Sequence, residues 1–167
     1  MPDTYLKTNE KDICCPMPNI KDWDNKIVDL NNKRFIRMYT KSFLYIPINM
    51  GKIMTALNKL VTDNHAEVDI TKAMILTKNL SPWKAEQLHS VSKEINGADN
   101  VILNGKFYSK VIDGPYQDAK KLCEALITYS KENGYSSNDI YIFYTTCPKC
   151  AKKYGKNYII GLIRLEK

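Results

Sequence analysis

The chain has 167 residues, 44% of them hydrophobic and 26% charged, a balance that suits one globular domain and excludes a fibrous repeat or wholesale disorder. Its net charge of +7 raises nucleic acid as a partner, but the only arginines are Arg34, Arg37 and Arg164, and the lysines are interrupted by Asp and Glu. The charge therefore reads as solubility rather than as a phosphate-binding stripe. No apolar run approaches the ~20 residues that span a bilayer and Met1–Lys11 is polar, so a cytoplasmic protein without a membrane partner is expected.

Residues 1–22 contain Pro2, Pro16 and Pro18 and show no sustained periodicity, which predicts an extended N-terminal arm carrying Cys14-Cys15-Pro16. Two β-prone runs, Lys26–Leu30 and Arg34–Tyr45, flank the turn-like Asn31-Asn32-Lys33 and predict a hairpin. Pro47 closes the second run and Asn49 is a candidate N-cap. Met50, Ile53, Met54, Leu57, Leu60 and Val61 then recur at helical spacing. Strands are expected over Ala73–Lys78 and His89–Ile95, with Ser81-Pro82-Trp83 opening the connection between them.

The same order recurs afterwards. Asn100–Asp113 reads as a long strand with a bulge or break at Gly105, ended by Gly114-Pro115-Tyr116. A helix presents Ala119, Leu122, Cys123, Leu126 and Tyr129 on one face and stops at Asn133-Gly134. Asp139–Thr145 and Asn157–Leu165 follow as strands, joined by a short basic segment with Cys147-Pro148-Lys149-Cys150. The fold class expected is α+β: two βαββ units with pseudo-two-fold symmetry, about residues 23–98 and 99–167 of a single domain at 23–167. Set side by side they make an antiparallel sheet with two main helices on one face and a groove between the helices, where small ligands bind.

The strand–Gly114-Pro115-Tyr116–helix junction and this element order resemble GyrI-like (SHS2-type) domains. Three stretches are similar to a subgroup of small prokaryotic proteins labelled hydrolase. They are Cys14-Cys15-Pro16 with Trp23-Asp24, the run Phe43–Asn49, and the run Tyr144–Tyr158 that reads YTTCPKCAKKYGKNY. The resemblance covers about residues 13–165. It implies two βαββ units and a concave, aromatic-lined pocket that binds xenobiotics and in some members hydrolyses them. Such pockets often hold an acidic residue near the last strand, whereas Asn157–Leu162 carries no carboxylate.

Five cysteines, an odd number in a reducing compartment, argue against a disulfide framework. Cys147-x-x-Cys150 has the spacing of a zinc half-site, and Cys14 with Cys15 offers two further thiolates for a tetrahedral structural zinc. Uncoordinated structural thiols are the alternative, as is redox chemistry, which requires the C-x-x-C pair at a helix N-terminus. Cys123, on the apolar helix face, reads as core.

Tyr45 and Tyr116 fall at the two strand-to-helix junctions, Trp83 follows a Ser-Pro turn, and Tyr141 and Phe143 alternate along one strand. These five aromatics are the candidate ligand contacts for a flat, hydrophobic or cationic small molecule. With two histidines and no G-x-S-x-G elbow, a serine triad is not supported. Glu86 is the carboxylate placed to activate water in the same pocket. No organic cofactor is expected.

Overall fold

The computed structural model describes residues 14–166. A short helix, α1 (Ile20–Trp23), precedes β1 (Lys26–Asp29), β2 (Lys33–Phe43) and β3 (Ile46–Pro47). Next come α2 (Met50–Asp63), β4 (Ile75–Ser81) and β5 (Lys84–Ser90). The second half comprises β6 (Asn100–Leu103), β7 (Lys106–Asp113), α3 (Ala119–Glu132), β8 (Ile140–Tyr144), α4 (Pro148–Tyr154) and β9 (Tyr158–Arg164).

All nine strands join one antiparallel sheet, in the order β1-β7-β9-β8-β4-β5-β2-β3, with β6 on β2. The central run β2-β5-β4-β8-β9-β7 is a palindrome of two equivalent halves, each βαββ, meeting at β4 and β8. That seam is short: only Leu76↔Phe143 and Thr77↔Ile142 are paired across it.

The hairpin expected at Asn31-Asn32-Lys33 does not form. β1 pairs with β7 (Lys26↔Ser109) and β2 with β5 and β6. Asn32, at φ 49, turns the chain through a corner, and the Asn104-Gly105 corner (Gly105 at φ 102) lies beside it. Leu30 N–H donates to Gly105 O at 3.1 Å and Asn32 N–H to Asn104 Oδ1 at 2.6 Å. Since β1 runs into β2 and β6 into β7 across this double corner, the sheet curls round and closes on an inner core. Trp23, Phe35, Leu76, Leu88, Phe107 and Phe143 fill it, all 2% exposed or less. The first residues of the expected arm that are described thus include a helical turn whose Trp23 plugs the core; Met1–Ile13 lie outside the described residues.

The two long helices cover the outer face. Leu57 and Val61 of α2 pack on Ile36, Val91 and Ile95. Leu122 and Leu126 of α3 pack on Tyr108, Ile142, Ile159 and Ile163. Asn49 precedes α2 as expected, yet its side chain does not cap the helix: Oδ1 accepts from Lys41 N–H at 2.8 Å instead.

β5 begins at Lys84, five residues before the expected start, because Pro82-Trp83 is the tight turn of a β4–β5 hairpin rather than the opening of a longer link. Its outer face is polar, with Gln87 and His89, which hid the strand's alternation. Among the described residues no helix is long and apolar enough to cross a membrane.

Candidate functional site

Between α2, the outer face of β4 and β5, and the segment leading from β8 into α4 lies a cavity of ≈ 820 Å³. Strand parity decides what faces it. Ala85, Gln87 and His89 alternate onto the cavity side of β5, with Ile75, Thr77 and Asn79 from β4. Met50 and Met54 come from α2, Tyr45 from the turn after β2, and Ile46 and Pro47 from β3. Tyr116, Tyr144, Thr145, Thr146 and Cys147 close the opposite side, and Cys14-Cys15-Pro16 the rim. No Asp, Glu, Lys or Arg is among the described residues that line it.

A buried polar row forms part of the floor. Gln87, 1% exposed, accepts from Thr77 Oγ1 at 2.7 Å and donates from Nε2 to Thr40 Oγ1 at 3.1 Å. Thr40 in turn donates to Ala85 O. Each buried polar atom in the row has a partner, which fixes the amide orientation.

His89 is the imidazole among the described lining residues. Its Nδ1 lies 2.9 Å from Ser90 O, a carbonyl that only accepts. Nε2 lies 3.0 Å from Asn58 Oδ1, likewise an acceptor, so a neutral ring can donate to one of the two oxygens at a time. Burial holds the imidazole below its ordinary range, against the opposing pull of the Ser90 carbonyl, so the ring is neutral at pH 7.

On the far side, Tyr116 and Tyr144 meet edge to face at 5.7 Å, and the Tyr116 hydroxyl donates to Thr146 O at 3.1 Å. Burial pushes the Tyr144 phenol up to about 12, so it remains a neutral donor.

The cysteines come together at the rim. Cys14 Sγ lies 3.3 Å from Cys150 Sγ and 3.7 Å from both Cys15 and Cys147 Sγ. All four Sγ atoms fall within 4.8 Å of one another. A tetrahedron with Zn–S bonds of ~2.3 Å has edges of ~3.8 Å, so the donor set has the chemistry and spacing of a Cys₄ zinc site. The segment around Cys147 was expected as a loop but is α4, with Pro148 at its first turn and Gly155 ending it at φ 64. Cys147 N–H donates to Cys15 Sγ at 3.3 Å. Burial disfavours the Cys147 thiolate, but the Cys150 N–H and the thiols of Cys14, Cys15 and Cys150 outweigh it and bring the group down to about 7. Burial pushes Cys15 up, and the neighbouring Cys150 thiol does the same for Cys14. Cys123 is apart from the cluster, half-buried on α3 as expected.

Of the aromatics singled out from sequence, Tyr45, Tyr116 and Phe143 border the cavity, Phe143 while its ring also meets Trp23 edge-on at 6.2 Å. Trp83 and Tyr141 do not. Trp83 sits at the β4–β5 turn, half exposed, against Phe43 at 5.6 Å. Tyr141 points into the inner core beside Phe107. Glu86 is also displaced: it alternates onto the inner face and pairs with Arg37 at 3.3 Å. It cannot act on a ligand in the cavity. Sequence reasoning passed over Gln87, His89 and Met54, whose signal was polar residues alternating in a strand and a methionine on the helix face.

The family model described as bacterial hydrolase matches residues 5–165. No protein of curated function matches in sequence. Among solved structures, an uncharacterized conserved protein from Listeria innocua is similar at 9% identity and TM-score 0.63, over 87% of this chain and 94% of that one. A hydrolase from the same organism matches at 10% identity and TM-score 0.60, over 87% and 94%. SAV2435, solved bound to tetraphenylphosphonium, matches at 10% identity and TM-score 0.55, over 84% and 93%. These likenesses are of fold, while the match to the family runs through nearly the whole sequence: the chain belongs to the bacterial hydrolase family.

Proposed function

We propose that this protein is a GyrI-like binder of hydrophobic organic cations, with Tyr45, Tyr116 and Phe143 among its contacts. The observation that carries the reading is the cavity of ≈ 820 Å³, walled by aromatic and methionine side chains. Such walls are polarisable and attract cations through ring faces and thioethers. A structural neighbour carrying tetraphenylphosphonium supports the same ligand class. That ion is a globular propeller rather than a flat plate, and the cavity is broad enough for either shape. Titrating the protein with tetraphenylphosphonium, followed by calorimetry, tests the reading. Saturable 1:1 binding that Tyr116→Ala weakens is the expected result, and absence of binding overturns it.

Cys14, Cys15, Cys147 and Cys150 hold a structural zinc in this reading, tying the N-terminal segment to α4 within a reducing, cytoplasmic setting. Metal affinity then contributes to folding. Metal analysis should find one zinc per chain, lost together with thermal stability on chelation. A metal-free protein with an oxidisable Cys147–Cys150 pair would favour the redox alternative instead.

His89 favours a hydrolytic activity in the same cavity. Its imidazole stands on the cavity wall and burial keeps it neutral, so one ring nitrogen carries no proton and can take one from water. Tyr144 is a neutral donor across from it, while the Tyr116 O–H is already given to Thr146 O. In an assay with hydrophobic aryl esters, His89→Gln should abolish turnover and leave tetraphenylphosphonium affinity within about twofold. Unchanged turnover removes His89 from the reaction.

A further inference from the structure

The cavity reads as a site for cations, yet no carboxylate is among the described residues that line it. Carboxylates next to lining residues in the chain are engaged elsewhere: Glu86 on the inner face with Arg37, Asp69 with Thr71, and Asp118 with Lys121. Three of the four clustered cysteines, Cys14, Cys15 and Cys147, are themselves lining residues, and Cys150 is buried directly behind them. Zinc coordination requires thiolates, so four of them around one divalent ion leave the centre with two net negative charges.

We infer that the loaded zinc–thiolate centre is the counter-charge of the cavity, replacing a pocket carboxylate and selecting cations over neutral or anionic ligands of the same shape. This rests on the proposed reading of the cavity and adds the source of its selectivity. The lysines of α4, Lys149, Lys152 and Lys153, are exposed to solvent and outside the lining. Water screens them from the cavity, whereas the sulfurs at its wall act through a partly apolar medium. The N–H···S bonds found there, from Cys147 N–H to Cys15 and from Cys150 N–H to Cys147, spread the charge without cancelling it.

Two consequences follow. Cation binding and zinc binding are coupled, and the coupling is reciprocal: whatever factor zinc contributes to cation affinity, the cation returns to zinc affinity. The cluster is also graded, because exchanging one cysteine for histidine keeps a tetrahedral zinc ligand and removes one negative charge.

Tetraphenylphosphonium and tetraphenylborate, of matching shape and opposite charge, separate the effect of charge from that of fit. Zinc-loaded wild-type protein should prefer the cation by at least about a hundredfold, and Cys14→His, still holding one zinc, should lose at least about tenfold of that preference. An unchanged preference in a zinc-retaining Cys14→His or Cys15→His variant overturns the inference. The wild-type protein gives a second test that needs no variant to fold. Zinc affinity, measured against a competing chelator, should tighten with saturating tetraphenylphosphonium and weaken with tetraphenylborate. Zinc affinity indifferent to both ions overturns the inference while leaving the cavity reading standing. If the zinc-loaded protein binds neither ion, the cavity reading itself fails and takes the inference with it.

Discussion

Gly161 of β9 lies directly beneath Leu126 of α3: a Cβ built on Gly161 would come within 2.6 Å of Leu126 Cδ1 and 2.9 Å of Leu122 Cγ. The helix rests on bare backbone at this point. Gly161→Ala should lift α3 from the sheet and cost about 1–3 kcal/mol, seen as a lower denaturant midpoint at constant m-value. Because this contact is remote from α2, tetraphenylphosphonium affinity should fall far less than stability does.

The turn between β2 and β3 is strained. Leu44 and Tyr45 sit at φ 48 and φ 69, where Asn and Gly are at home and larger side chains cost about 1–2 kcal/mol. Leu44→Asn should therefore raise stability modestly, by up to about 1 kcal/mol, with binding unaffected. Tyr45→Gly should relieve the same strain but strip an aromatic from the cavity wall, raising the melting temperature while weakening cation binding. A variant that loses both would show that the turn is not strained.

The Thr40–Gln87–Thr77 row predicts an asymmetry between deleting one partner and replacing all three. Gln87→Ala leaves two buried hydroxyls without their amide and opens a void, so a loss of about 2–4 kcal/mol is expected. Thr77→Val alone should cost about 1–2 kcal/mol. A double-mutant cycle between them should show coupling of at least about 0.5 kcal/mol, and strict additivity would dissolve the row into independent contacts.

His89 sets a pH dependence whose sign follows from its depressed folded-state value. Between that value and the unfolded value of about 6.5, the unfolded chain binds the extra proton. Stability should therefore fall as pH drops below about 6.5 and level off once the folded imidazole is also protonated. Chemical denaturation at several pH values checks this. In His89→Gln that part of the slope should vanish, although acidic groups such as Asp139 will still destabilise the protein at lower pH.

The helices were legible in the sequence because their apolar spacing was long and unambiguous, and Gly105 marked its corner by residue type alone. The β1–β2 hairpin was misread because Asn31-Asn32-Lys33 favours a turn locally, whereas the partner of β1 is fixed by residues such as Val28 and Phe107 meeting in a common core. β5 was misplaced since the rule that polar residues face water fails on a strand whose polar side floors a cavity. That failure also misassigned Glu86, whose parity relative to Gln87 places it on the inner face. The cysteines were grouped correctly by spacing, but α4 went unseen. Pro148 and Gly155, its start and stop residues, lie in a stretch taken only as a short basic link between strands.

The two halves of the palindrome differ in their last connection: β4 turns into β5 through two residues, whereas β8 reaches β9 by way of α4 and its cysteines. A ligand seated across the β4–β8 seam thus meets a greasy methionine end and a sulfur end. The duplicated frame offers two equivalent poses, and this single decoration abolishes the equivalence. A ligand with two unlike ends is thereby given one preferred way up.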